Sequence, residues 1–538
     1  MRAPVAPARG FTMVALGDSL TQGMQDACVV AERQDHCYSK VLADHAGITY
    51  NLPYVSDEGI PFTAFHDHTL DYDHFKRHVI ELALSVAPLA LWTYFIGAPH
   101  KVAPTWELVP HMGKRTPESR DTVSHPQHNF AVSGFELRHL SSVSKEHDML
   151  DEVHNGLSGT GSCGLEIPLV RATLGNGQND GNGSEVKQAL SKNPDLILAW
   201  GGNNDALSSV FNGRLDDAIL TPVEDRKWTY WQSNPITGSS HQKTTKNVMP
   251  GFRSEMLGLV NNLLQNSDAE IMLMNIPDVT AVALARELGK PVGKLPFKVL
   301  LNNGQDITAQ LEAFVIPNTV RGAGNNGRTQ FPPGSRASLV NVLKQIIATG
   351  GVGSADELRA RLDGFHSQGA SGFLAEDEVL DNDEIATVSQ RISQFNAVID
   401  EAGKIDPRVH VVDIHGLLEN VKQGRPLKGA GPDEWVVANF TGAPDAQGRD
   451  GIFSYDGVHP SDTGHAVVAN LILDKIQKDL GHDARFAAFH GRSPIDEKAV
   501  HHADPHTSGQ VESQGSKAPA SIVLDNEHLD QWLRGSMI

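Results

Sequence analysis

"VALGDSLTQG" (residues 14–23) begins as part of an apolar run and ends in a turn. Together with Met13, Val14 to Leu16 make a stretch of strand length, too short for a buried helix. Gly17 then lets the chain leave the strand tightly, Asp18 carries a short carboxylate suited to bonding local backbone N–H groups, and Ser19 opens the following helix. Ligands in open parallel sheets sit at the carboxyl ends of strands, where loops converge. Two readings of this stretch stand side by side: Asp18 and Ser19 cap a helix, or the strand aims a serine nucleophile into a crevice.

The rest of the chain repeats the pattern. Apolar runs at 12–16, 129–132, 196–200, 271–274 and 409–414 read as buried parallel strands, each ending in a polar or glycine-rich turn. Ile385, Val388, Ile392, Phe395 and Ile399 fall at helical spacing, as do Val467, Val468, Leu471, Ile472 and Ile476 after Pro460. Strands alternating with helices predict an α/β fold, a three-layer α/β/α sandwich on a five-stranded parallel sheet. About 110 residues separate the first two strands and about 135 the last two, far more than a crossover needs. Insertions are therefore expected at about 51–125, 206–255 and 281–380 within a single domain over 1–481. From 482 to 538 the composition turns Ser-, His- and Asp-rich and reads as a polar tail with at most one short helix near 529–533.

Bulk properties narrow the function. The net charge of −20 repels nucleic acid and anionic membrane surfaces, so no nucleic-acid partner is expected. No apolar run approaches the roughly 18 residues of a membrane span. The first ten residues lack a secretory leader, which predicts either a cytoplasmic protein or one already trimmed for secretion or the periplasm. Of the three cysteines, Cys28 and Cys37 are close enough in sequence to close a loop and leave Cys163 over, but thiols are the expected state.

Three further segments supply partners for the serine. "NFAVSG" (129–134) places Gly134 at a strand end, where a backbone N–H can approach a substrate oxygen. "LILAWGGNND" (196–205) places Gly202, Asn203, Asn204 and Asp205 at another, where an Asn amide can donate a second hydrogen bond. "YDGVHPSDTG" (455–464) carries Asp456 and His459 three residues apart, just before the last long helix. A serine needs a base, the base a carboxylate to orient it, and the oxyanion preorganised donors.

This set, in this order, resembles the SGNH or GDSL hydrolase family, over roughly half the chain and without the insertions. "NIPDVT" (275–280) and "IFSYDGVHPSDTGHAVVAN" (452–470) are similar to its bacterial members with large insertions. The resemblance implies a flavodoxin-like sheet, Ser19 as nucleophile, His459 as base with Asp456 behind it, and an oxyanion hole from the Ser19 N–H, Gly134 and Asn204. It implies a serine esterase or lipase that hydrolyses small-molecule or lipid-like acyl esters through an acyl-enzyme, with no cofactor and no metal. A carbohydrate O-deacetylase and a binding protein that has lost turnover are the alternatives. Phe135 stands directly after Gly134, where many relatives have a small residue.

Other signals carry less. The lipase elbow G-x-S-x-G is absent, "GAGNNG" (322–327) has no strand-turn-helix around it, and "GNGQNDGNGSE" (175–185) lacks the glutamate a calcium loop needs at its twelfth position. "HDHTLDYDHFKRH" (66–78) gathers histidines and aspartates of metal-ligand type without a matching motif. Trp92, Tyr94, Phe95, Trp106, Trp228, Tyr230 and Trp231 fall in the insertions, either as their core or as an apolar wall for an acyl chain.

Overall fold

In the computed structural model, the strands expected from the apolar runs form one parallel sheet. The structure describes residues 10–54, 127–144, 169–170, 173–174, 183–212, 215–233, 240–321, 328–347, 354, 356–360, 362, 374–507, 510–513, 516–525 and 529. The sheet runs in the order β1 (Met13–Gly17), β2 (Leu196–Trp200), β3 (Glu270–Met274) and β4 (Val409–Val412), with every neighbouring pair parallel. Along the chain lie helices α1 (Ser19–Gln22), α2 (Tyr38–Ala46), α3 (Glu185–Leu190), α4 (Asn204–Asn212), α5 (Phe252–Asn266), α6 (Asn382–Ala402), α7 (Ile414–Gln423), α8 (Asp462–Leu480) and α9 (Glu497–Ala503).

Strand periodicity explains the layering. Alternate residues point to opposite faces, so Met13, Ala15, Leu196, Leu198 and Met272 pack with Leu42 of α2 and Ile472 and Ile476 of α8. Val14, Leu16, Ile197, Ala199 and Ile271 pack on the other face, with Val186 of α3, Val260 and Leu263 of α5, and Ile392 and Phe395 of α6. With both faces covered, the strands contain almost no polar residue.

Four strands, not five, form the ladder among the described residues. Residues 129–132 run beside β1, giving His128 O and the Phe130 N–H to Ala15 and the Val132 N–H to Gly17 O, but only Asn129 makes a bridge. The Asn129 side chain is the reason the segment stops short of a strand. Its Oδ1 accepts the Ala131 N–H at 3.0 Å and its Nδ2 donates to Thr21 O at 2.7 Å, so side-chain bonds replace part of a ladder.

The described residues of the third expected insertion are folded. Arg336–Ser338 pairs antiparallel with Ala285–Glu287 on one side and Val379–Leu380 on the other, followed by the helix Leu339–Ile347. The stretch expected to trail away from 482 is ordered through 507 as well: Phe486 and Phe489 are buried under the face that holds α8, and α9 follows. Ser521–Val523 then pairs parallel with Lys298–Leu300. Composition misleads here because a few apolar residues and buried ionic contacts dock a largely polar segment. Cys28 and Cys37 are buried thiols rather than a disulfide, and Cys163 lies outside the described residues. Among the described residues no helix is long and apolar enough to cross a membrane.

Candidate active site

The turn after β1 is built around Gly17, whose φ of +149° suits glycine. A Cβ there would stand 2.1 Å from Trp200 O, so close packing of β1 on β2 also requires its absence. Asp18 caps α1 by accepting the Leu20 N–H at Oδ1, 3.1 Å, while its Oδ2 accepts Asn203 Nδ2 at 2.8 Å. Burial raises this carboxyl to about 6, against the pull of Asn203, the Leu20 N–H and the His459 charge. The capping reading of Asp18 therefore holds, and it leaves Ser19 at the helix start beside the cleft.

His459 reaches the same place from the far end of the chain. Its Nδ1–H donates to Asp456 Oδ2 at 2.9 Å. Asp456 is fully buried and its oxygens are well supplied: Oδ1 accepts the N–H groups of Val458 at 2.7 Å and His459 at 2.8 Å, and Oδ2 accepts the Ala27 N–H at 2.7 Å. Two residues between acid and base suffice because the 456–459 turn folds the carboxylate back onto its own imidazole. The other ring nitrogen, His459 Nε2, is buried and has no hydrogen-bond partner among the described residues. Buried polar atoms left in this state are rare and point to a function or a missing ligand.

Ser19, Asn204 and His459 line one cleft, with Asn203 beside them. Apart from Asp278 the remaining wall is apolar, with Leu20 from α1, Leu207 from α4, Val282, Leu417 and Leu418 from α7, and Ile452. Gly134 occupies a left-handed turn at φ +84° and stands back from this wall. It is tied in through the next residue, since Asn204 Nδ2 donates to Phe135 O at 3.0 Å. Phe135 is itself fully buried in the core, so its bulk does not fill the cleft.

Two supporting residues were not legible in the sequence. Asn203 looked like a neighbour of Asn204, yet it holds the Asp18 carboxylate. Glu185, at the start of α3, accepts the Gly17 N–H at 2.9 Å and the Val132 N–H at 3.1 Å, locking together the strand end that carries Ser19 and the segment that leads to Gly134. Burial drives its carboxyl well above the ordinary range, against the two N–H groups that it accepts. The only sequence signal for Glu185 was a helix-start position, which fits thousands of surface glutamates equally well.

Of the insertion aromatics, the described Trp228, Tyr230 and Trp231 do not line the cleft. Trp228 is buried beneath the Arg138 guanidinium, 5.0 Å from its ring centroid, and Trp231 is exposed on a hairpin. Trp92, Tyr94, Phe95 and Trp106 lie outside the described residues, as do the 66–78 cluster, 175–182 and 322–327. Among the described residues no group of three or more His, Cys, Asp or Glu is placed to hold a metal ion.

Comparison with the curated proteins and with the solved structures gives no match. Residues 320–472 match the family model described as GDSL-like Lipase/Acylhydrolase, a span that includes α6, β4, α7 and the Asp456–His459 turn. Over that span the chain is similar to the GDSL-like lipase/acylhydrolase family, and the residues before 320, Ser19 and Asn204 among them, lie outside the match.

Proposed function

We propose that this protein is a serine esterase that hydrolyses carboxylic esters of apolar acyl chains through an acyl-enzyme. The observation that carries the reading is the pairing of Asp456 with His459 Nδ1, which leaves an unpartnered Nε2 in the cleft that Ser19 lines. In the reaction Ser19 Oγ attacks the acyl carbon while His459 Nε2 takes its proton, and Asp456 steadies the imidazolium that forms. The oxyanion is held by the Ser19 N–H and the Asn204 amide. His459 then returns the proton to the departing alcohol, and water repeats the sequence to free the acid.

The apolar wall favours this reading over removal of acetyl groups from sugars, most of whose hydroxyls would face residues such as Leu207, Leu417 and Ile452, with Asp278 the one charged group on that wall. Each methylene buried there contributes about 0.8 kcal/mol, or about fourfold in kcat/KM until the pocket is filled. The test is a panel of p-nitrophenyl esters from acetyl to dodecanoyl. Ser19→Ala should abolish turnover and fluorophosphonate labelling, and Asn204→Ala should lower kcat by about a hundredfold or more. Ordinary hydrolysis by Ser19→Ala would refute the mechanism, and a preference for acetyl esters would refute the chain-length assignment.

A further inference from the structure

Behind Asp456 lies a second buried cluster that the acyl-transfer steps do not use. His506 has no exposed surface and stands between two carboxylates, Nε2 2.8 Å from Asp26 Oδ1 and Nδ1 2.6 Å from Asp504 Oδ1. Both ring nitrogens meet carboxylate oxygens only as donors, so the ring is an imidazolium. Burial opposes that charge, but Asp26 and Asp504 outweigh it and hold the group up to about 10. Asp504 is anchored in turn, its Oδ2 accepting the Thr463 N–H at 2.9 Å and the Thr463 hydroxyl at 2.7 Å at the start of α8. Arg33 and Asp462 face the same cluster, His36 stands beside Asp462, and the Tyr455 ring meets His506 edge-on.

Asp26 belongs to a strained turn. Gln25 and Cys28 exchange N–H···O=C bonds of 3.1 and 3.0 Å around Asp26 and Ala27, whose φ angles are +56° and +60°. Two left-handed residues in succession make the turn that Asn-Gly favours. Alanine pays a steric penalty there, and such strain persists only where surrounding contacts enforce it. Asp26 Oδ1 accepts the Tyr455 N–H at 3.0 Å, its own N–H donates to Ser454 Oγ at 3.1 Å, and the Ala27 N–H donates to the Asp456 oxygen that also receives His459 Nδ1–H.

We propose that His506 is a positioning residue for ester hydrolysis: by clamping Asp26 it holds the strained 25–28 turn, so that the Ala27 N–H keeps the Asp456 carboxylate aligned with His459. The proposal rests on the assignment of Ser19, His459 and Asp456 to the reaction. It gives the C-terminal segment, far from the cleft in sequence, a direct line to the base. Ala27 makes that line necessary, because a glycine would adopt the same turn unaided.

The experiment compares wild type, H506Q, H506Q combined with A27G, and S19A on p-nitrophenyl octanoate. H506Q is expected to lower kcat about ten- to a hundredfold with KM changed less than about twofold, and to move the acid limb of the kcat/KM profile to lower pH. A27G in the same chain is expected to return most of the lost kcat, which a merely stabilising role for His506 would not produce. Should H506Q fail to fold, D504N, which leaves His506 one carboxylate, is read the same way with a smaller loss. A folded H506Q or D504N with the wild-type kcat and pH profile overturns the proposal, as does a loss that A27G leaves unrepaired. Full activity in S19A would instead overturn the underlying site assignment.

Discussion

Asn203 stands one position before a proposed oxyanion donor, and its own task is to hold a carboxylate. Asp18 loses water on burial and keeps its charge only through donors, of which Asn203 Nδ2 is one and the Leu20 N–H another. The folded value of about 6 exceeds the ordinary 3.8, so ionised Asp18 weakens the fold as pH rises through that interval. Removing a donor to the charged form must raise the value further and deepen that loss. Asn203→Ala is therefore expected to cost little at pH 4.5, where Asp18 is protonated, and about 2 kcal/mol at pH 8. Urea unfolding at the two pH values checks this, and an equal cost at both would count against it. Ser19, Asn204, Asp456 and His459 were nominated from residue type and order alone. Asn203 and Glu185 were not, because what distinguishes them is being buried against particular N–H groups, and burial is a property of the neighbours.

At the scale of elements, local chemistry and periodicity agree best in α6. Its apolar stripe marks the face that meets α5, where Phe252 and Phe395 stack with centroids 3.9 Å apart. The acidic run before it begins the helix with a capping box: Asp381 Oδ1 accepts the N–H groups of Asp383 and Glu384, and Glu384 returns a bond to the Asp381 N–H. Asp381→Ala is expected to cost about 1 kcal/mol of stability with kcat unchanged, read from denaturant midpoints beside an ester assay. Residues 129–132 are the opposite case. Their apolar pattern is that of a strand, but Asn129 competes for the backbone groups, and a pattern of hydrophobicity carries no information about that competition.

For the whole molecule, the last third of the chain closes the structure around its first turn. The His506 clamp ties 504–506 to 26 and to the start of α8, so its charge state should register in global stability. His506 is raised from 6.5 to about 10, so its contribution is complete below pH 6.5 and fades as pH rises through 10. Asp26 feels burial upward but is carried down from 3.8 to about 2 by His506 and Arg33, so its share is present above pH 3.8 and fades toward pH 2. The Tm difference between wild type and His506→Gln is thus expected to be largest between pH 4 and 6.5 and to shrink toward pH 10. A difference that stays constant over that range would rule out the ionic clamp. By itself the sequence determined most of the parallel strands, the main helices and the residues proposed for acyl transfer, because period, turn residues and functional-group type are local properties. Only the tertiary structure decided how many strands complete the ladder, that the polar C-terminal segment folds, and which buried carboxyls and imidazoles support the site. Those outcomes depend on desolvation and on donors and acceptors brought together from distant parts of the chain, and neither is written in any single stretch of it.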